Sequence, residues 1–154
     1  MKKRYLLLVV IIPIIFLVTG CTSLKNIEKS MTCSRSMNQN DMRTNLNYKV
    51  FYKNNYVTRV KSEESIETSS TSTLNTYKEQ IEKIYSPYKD IKFYQYNVTI
   101  NGNKLVSTVD INYEKIDTKK LIEIDSANSQ LIKNGKVKLS DVRSLYEQLG
   151  ATCK

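Results

Sequence analysis

Apolar and polar residues alternate with a period of two in two blocks of the chain, and between them the period lengthens to that of a helix. In the first block Leu46, Tyr48, Val50 and Tyr52 alternate with Asn47, Lys49 and Lys53, broken only by Phe51, which predicts a strand over 46–52. Asn54-Asn55 follows, a pair that tolerates the left-handed conformation of a tight hairpin turn, and Tyr56 to Val60 predicts the return strand, extending toward Ile66. Ahead of this hairpin, residues 30–35 read as a short strand carrying Cys33, closed by the polar turn Asn38–Asp41. In the second block, residues 91–100 and 104–113 flank Asn101-Gly102-Asn103, where Gly102 suits a primed turn. Leu105, Ser107, Val109, Ile111 and Tyr113 share one face there, and Lys104, Thr108, Asp110 and Asn112 the other, interrupted by Val106. Such alternation predicts an antiparallel sheet with one side wet.

Between the blocks, Leu74, Tyr77, Ile81, Ile84 and Tyr85 recur at helical spacing, with Ser72 or Thr73 as cap and Ser86-Pro87 as stop. Asp117 is placed to cap a short helix through Ile124, and Lys133–Lys136 reads as a turn. Ser140 is placed to cap a last helix carrying Val142, Leu145 and Leu149, with Gly150 ending it. The predicted class is α+β: an antiparallel sheet built from two hairpins, an intervening amphipathic helix and short C-terminal helices, in one domain over 31–154.

The start of the chain follows a different pattern. Lys2-Lys3-Arg4 precedes the apolar run Tyr5 to Val18, the order of a secretion signal. As a permanent span the run is short, and Pro13 interrupts it. Val18-Thr19-Gly20-Cys21 resembles the lipobox of bacterial lipoproteins, in which the cysteine is acylated and the leader is cut in front of it. The expectation is a signal peptide over 1–20, lipid on Cys21 and a polar tether over 21–30. This puts the domain on the outer face of the cytoplasmic membrane; the Lys-, Asn- and Ile-rich composition suggests a low-GC Gram-positive bacterium.

Loss of Lys2, Lys3 and Arg4 leaves 21 basic residues against 15 acidic ones, a net charge of +6. A basic domain beside a membrane feels anionic lipid and wall polymer over about 8 Å at physiological salt, although lysine is also the common solvating residue of such compositions. Export argues against nucleic acid as a partner. With Cys21 acylated, Cys33 and Cys153 remain, one near each end of the domain, and outside the cell an even pair reads as a disulfide. Two free thiols are the alternative.

The absence of histidine removes Ser-His and Cys-His nucleophiles and His-ligated metal, and the four scattered glycines form no phosphate loop. No cofactor or metal is expected. Glu63, Glu64 and Glu67 form an acidic cluster that reads as solvated; an enzyme would need a pair such as Glu63 and Glu67 to converge in a pocket. Asn97-Val98-Thr99 fits a glycosylation sequon without meaning in an ordinary bacterium. Of eleven tyrosines, Tyr48, Tyr52, Tyr56, Tyr94 and Tyr96 fall on predicted strands. A tyrosine face could stack on sugars or a partner, but the simpler reading is a strand former whose ring packs while its hydroxyl reaches water. Lys115, Lys119, Lys120, Lys133, Lys136 and Lys138 gather late in the chain without enough acids to balance them, the best surface for an anionic polymer or lipid. The chain thus reads as a non-catalytic binding or accessory module of the envelope, with an electrostatic binder of anionic polymer as the alternative and an envelope protein as a possible partner.

From Val109 onward the chain resembles the C-terminal half of the YehR-like lipoproteins, a family of unknown function. The matching positions are Val109, Asp110, Tyr113, Lys115, Asp117, Lys119, Lys120 and Leu121, then Leu139, Ser140, Leu145, Leu149 and Gly150. One extra residue separates Asp110 from Tyr113, and the serine–leucine order is inverted at Leu139-Ser140. The resemblance implies an antiparallel α+β fold on a lipid tether and brings no activity with it; the Cys33 and Cys153 pair lies outside the shared pattern.

Overall fold

The computed structural model describes residues 27–154, so the leader, Cys21 and the first part of the expected tether lie outside the described residues. Among those described, no helix is long and apolar enough to cross a membrane. Strands β1 (Lys29–Gln39), β2 (Met42–Lys53) and β3 (Tyr56–Glu67) form a meander, followed by helix α1 (Thr71–Tyr85) and a 3-10 turn at Ser86–Tyr88. The hairpin β4 (Tyr94–Asn101) and β5 (Lys104–Asn112) comes next, then α2 (Thr118–Ile124), α3 (Asn128–Leu131) and the small hairpin β6 (Ile132–Lys133) and β7 (Lys136–Val137). Helix α4 (Leu139–Gln148) and strand β8 (Thr152–Cys153) complete the chain.

The large sheet is antiparallel in the order β4-β5-β3-β2-β1-β8. The α+β class holds, but the sheet is more than two hairpins. The expected short strand at 30–35 is eleven residues long, begins at Lys29 and pairs with β2 throughout. The late strands do not stand apart either, because β5 pairs with β3.

The turns follow from their residues. Asn54 and Asn55 both have positive φ (48° and 65°), the I′ pattern that matches strand twist, and Asn134-Gly135 repeats it in the β6–β7 hairpin. Gly102 alone is positive in the β4–β5 turn, the II′ pattern. Between β2 and β3 the register slips, with Phe51 opposite Arg59 and Tyr52 opposite Val57, so Thr58 is the extra residue of a bulge.

One face of the sheet carries the helices and the core. Val50, Val60, Val109, Leu121, Val137 and Val142 belong to the main cluster, and Ile66, Leu74, Ile81 and Leu105 form a second under α1. Tyr85 touches both. Three local expectations need correction. Ser70 caps α1, accepting from the Thr73 N–H at 3.2 Å, so the helix starts before Ser72 and Thr73. Ile84 is 61 % exposed and outside the apolar face. Ser140 lies inside α4 and donates to Asp141, while Lys138 occupies the cap position without a side-chain bond.

Cys33 and Cys153 are bonded. They sit directly opposite each other on β1 and β8, flanked by the mutual backbone bonds of Thr32 and Lys154 at 2.9 and 2.8 Å.

Candidate functional site

The polar face of the sheet is an open trough of about 770 Å³. Strand alternation builds it in register rows. Thr32, Lys49, Lys61, Asp110 and Gln95 form one row across β1, β2, β3, β5 and β4. In the next, Asn47, Glu63, Thr108 and Asn97 cross β2, β3, β5 and β4. Five strands at about 4.8 Å spacing make a surface about 19 Å wide. One of its carboxylates, Asp110, is held by two basic side chains. Arg59 grips Asp110 through Nε at 2.7 Å and Nη2 at 2.5 Å, and Lys61 Nζ lies 3.7 Å away. The Arg59 hydrogen bonds hold the Asp110 carboxyl below the usual range despite its partial burial. A carboxylate so stabilised is a poor general base. The trough offers fixed charges, amides and hydroxyls, which is equipment for holding a polar ligand.

The acidic cluster is split by the strand period. Glu63 and Glu67 are four residues apart on the outer face, about 13 Å along the strand, and Glu67 pairs with Lys104 at 3.0 Å. They do not converge. Glu64 points the other way, under the helices, where the Tyr48 hydroxyl donates to it at 3.2 Å. Burial raises the Glu64 pKa, and the Tyr48 bond partly opposes that. Directly opposite it on β5 is Ser107, 1 % exposed, whose Oγ has no hydrogen-bond partner among the described residues. Reading Glu64 as solvated was therefore wrong; the signal was its place in the inward series Val60, Ser62, Glu64 and Ile66.

Apart from Tyr56, the strand tyrosines pack their rings into the core as the simpler reading held, but the Tyr48 hydroxyl bonds to Glu64 instead of reaching water. Tyr48 stacks on Tyr146 at 4.1 Å and Tyr88 on Tyr94 at 4.8 Å. Burial lifts the Tyr85 and Tyr113 hydroxyls to about 12. Of the strand tyrosines singled out, Tyr56 alone is exposed, at 40 %.

All six late lysines are exposed. Lys136 Nζ lies 5.1 Å from the Tyr56 ring centre, and Lys138 bridges Tyr56 through its backbone. Lys115 Nζ lies 5.7 Å from the ring centre of Phe93. Lys119 and Lys120 open α2. Lys133 turns back to donate to the Ser129 carbonyl at 2.7 Å. Phe93 itself went unnoticed in the sequence, where the strand was expected to begin at Ile91; it has φ 72° and is 36 % exposed. Among the described residues no group of three or more cysteine, aspartate or glutamate side chains is placed to hold a metal.

Residues 31–151 match the family described as "Protein of unknown function (DUF1307)". The chain belongs to that family. The DUF1307 fold is also similar to two structures solved by NMR. One is the YehR protein of E. coli, with 19 % identity, TM-score 0.54, and 82 % of this chain covering 91 % of that one. The other is a protein from Streptococcus pneumoniae, with 16 % identity, TM-score 0.53, and coverage of 100 % and 98 %. The YehR-like resemblance read in the C-terminal half is borne out, and at these identities the likeness establishes fold alone. No curated protein matches the chain.

Proposed function

We propose that this DUF1307 protein is an extracytoplasmic lipoprotein, held by lipid on Cys21, that serves as a non-catalytic binding module with its ligand in the sheet trough. The observation that carries the binding role is the trough itself, a wide open surface lined by the amides of Asn47, Gln95 and Asn97, the hydroxyls of Thr32 and Thr108, and the charges of Lys49, Lys61, Glu63 and Asp110. Near-balance between Lys49, Lys61 and Arg59 on one side and Glu63 and Asp110 on the other disfavours a polyanion there. A polar segment of an envelope protein, supplying both donors and acceptors, suits it better. The anchor is supported by the basic start, the apolar run and the lipobox-like Val18-Thr19-Gly20-Cys21.

The test places a photo-cross-linker at Thr108, in the trough, or at Lys78, on α1, in the natively processed chain. A discrete protein captured from Thr108 and not from Lys78, at high as well as low salt, supports the reading. Capture of wall polymer alone, lost as salt rises, sinks it in favour of an electrostatic surface. The mass of the N-terminal peptide reports separately on acylation of Cys21.

A further inference from the structure

We infer that the end of the sheet from which the tether leaves is a membrane-docking face that sets aromatic and lysine side chains against anionic lipid head groups. This rests on the lipid anchor proposed above. The placement comes from register. Ser30, Phe51, Arg59 and Asn112 lie in one row across the sheet, and the Asn112 N–H donates to the Phe93 carbonyl at 3.0 Å. Phe93 is therefore level with the strand start to which the tether leads. The chain is pinned at this end, because Thr58 donates to Glu28 at 2.7 Å. The six residue steps from Cys21 to Ile27 reach at most about 21 Å. A lipid on Cys21 keeps this end, rather than the Asn40-Asp41 or Gly102-Asn103 turns, beside the bilayer.

The surface there matches that neighbour. Phe93 adopts a left-handed backbone, costly for a bulky residue, and holds an exposed ring with Lys92 and Lys115 Nζ at 5.1 and 5.7 Å from its centre. Tyr56, at the β2–β3 turn, carries Lys136 in the same way and adjoins Lys138. None of these four lysines has an ion-pair partner among the described residues. Nearby carboxylates are engaged: Lys53 takes Glu28 and Glu114, and Asp117 caps α2. Asp90 stands alone between Lys89 and Lys92. A wall polymer has charge but no apolar layer, whereas a bilayer interface accepts aromatic rings and lysines together.

The test is an amine-acetylation footprint of the full chain, purified from membranes, on phosphatidylcholine vesicles with and without phosphatidylglycerol. Docking predicts that Lys92, Lys115, Lys136 and Lys138 are protected on the anionic vesicles and released by high salt, while Lys78 and Lys104 are unchanged. Replacing one of the four by Gln should weaken the salt-sensitive binding about fivefold. Phe93→Asn, which keeps a residue tolerant of positive φ, should reduce protection without loss of fold. Uniform labelling on both vesicle types overturns the docking face. If Cys21 carries no acyl chain, the anchor fails on its own evidence. The same footprint then still decides: four protected lysines on anionic vesicles uphold the face, and uniform labelling removes it.

Discussion

The Tyr48 hydroxyl donates to Glu64 across the inner surface of the sheet, at 3.2 Å, while Tyr48 itself is stacked on Tyr146 of α4. A carboxylate is thus held beneath the helix layer with one long hydrogen bond from Tyr48 and an unpartnered serine opposite. Burial raises its pKa, so the folded chain keeps the Glu64 proton to higher pH than the unfolded chain does. The stability from this group is complete below the unfolded value of about 4.3 and is lost as pH rises through the folded one. Glu64→Gln keeps an acceptor for Tyr48 and removes the titration. The variant should melt above the natural chain at pH 7, with the gap closing below about pH 4. An equal gap at both pH values would mean that ionisation is not the cause.

Asp110 shows the opposite dependence. Its carboxyl is held low by the Arg59 bonds, so its contribution is present above the unfolded pKa and disappears as pH falls through the folded one. Arg59 is 42 % and Asp110 25 % exposed, so solvent screens the pair. Asp110→Asn should cost about 1 kcal/mol or less near neutral pH and nothing in strong acid, read from urea midpoints at the two pH values.

These two carboxylates also show what the sequence conveyed. Asp110 stood on the polar side of a clear alternation, Lys104, Thr108, Asp110 and Asn112, and it is on that side in the structure. Asn54-Asn55, Gly102, Asp117 and Ser86-Pro87 likewise announced their turns, cap and stop, because each acts locally, through its own backbone or, for Asp117, through a carboxylate that accepts from the Lys119 N–H two residues on. Glu64 was obscured because three glutamates in five residues look like composition, and only the phase of β3 separates them. The length of β1 was hidden because Arg35, Ser36, Asn38 and Gln39 lack apolar character and gain their order from β2. Ser70 could not be told from its hydroxyl neighbours. The trough has no local signature at all, since it exists only once residues from five strands are brought into register.

The Cys33–Cys153 bond closes a separation of 120 residues. The chain-entropy relation puts its contribution at about 5 kcal/mol. Reduction should add two hydrogens to the intact mass and lower the thermal midpoint substantially. The Cys33→Ala, Cys153→Ala double variant should melt close to the reduced natural chain, because the loss lies in the cross-link. Two thiols freely alkylated in the native, unreduced protein would contradict the bond.

The end of α4 is tied to β1 by a second device. Gly150 has φ 83°, the left-handed C-terminal stop expected of it, and directs the chain into β8. A Cβ there would lie 3.2 Å from the Arg35 guanidinium, whose Nη1 donates to the Leu149 carbonyl. Gly150→Ala meets both obstacles, and the backbone alone should cost about 1–2 kcal/mol. Arg35→Ala removes the crowding together with the carbonyl's partner. In that background Gly150→Ala should cost less than it does alone, leaving the backbone share. Denaturant melts of the two single variants and the double would measure the coupling. Strict additivity would show that Arg35 swings aside freely and that the stop is a matter of backbone conformation only.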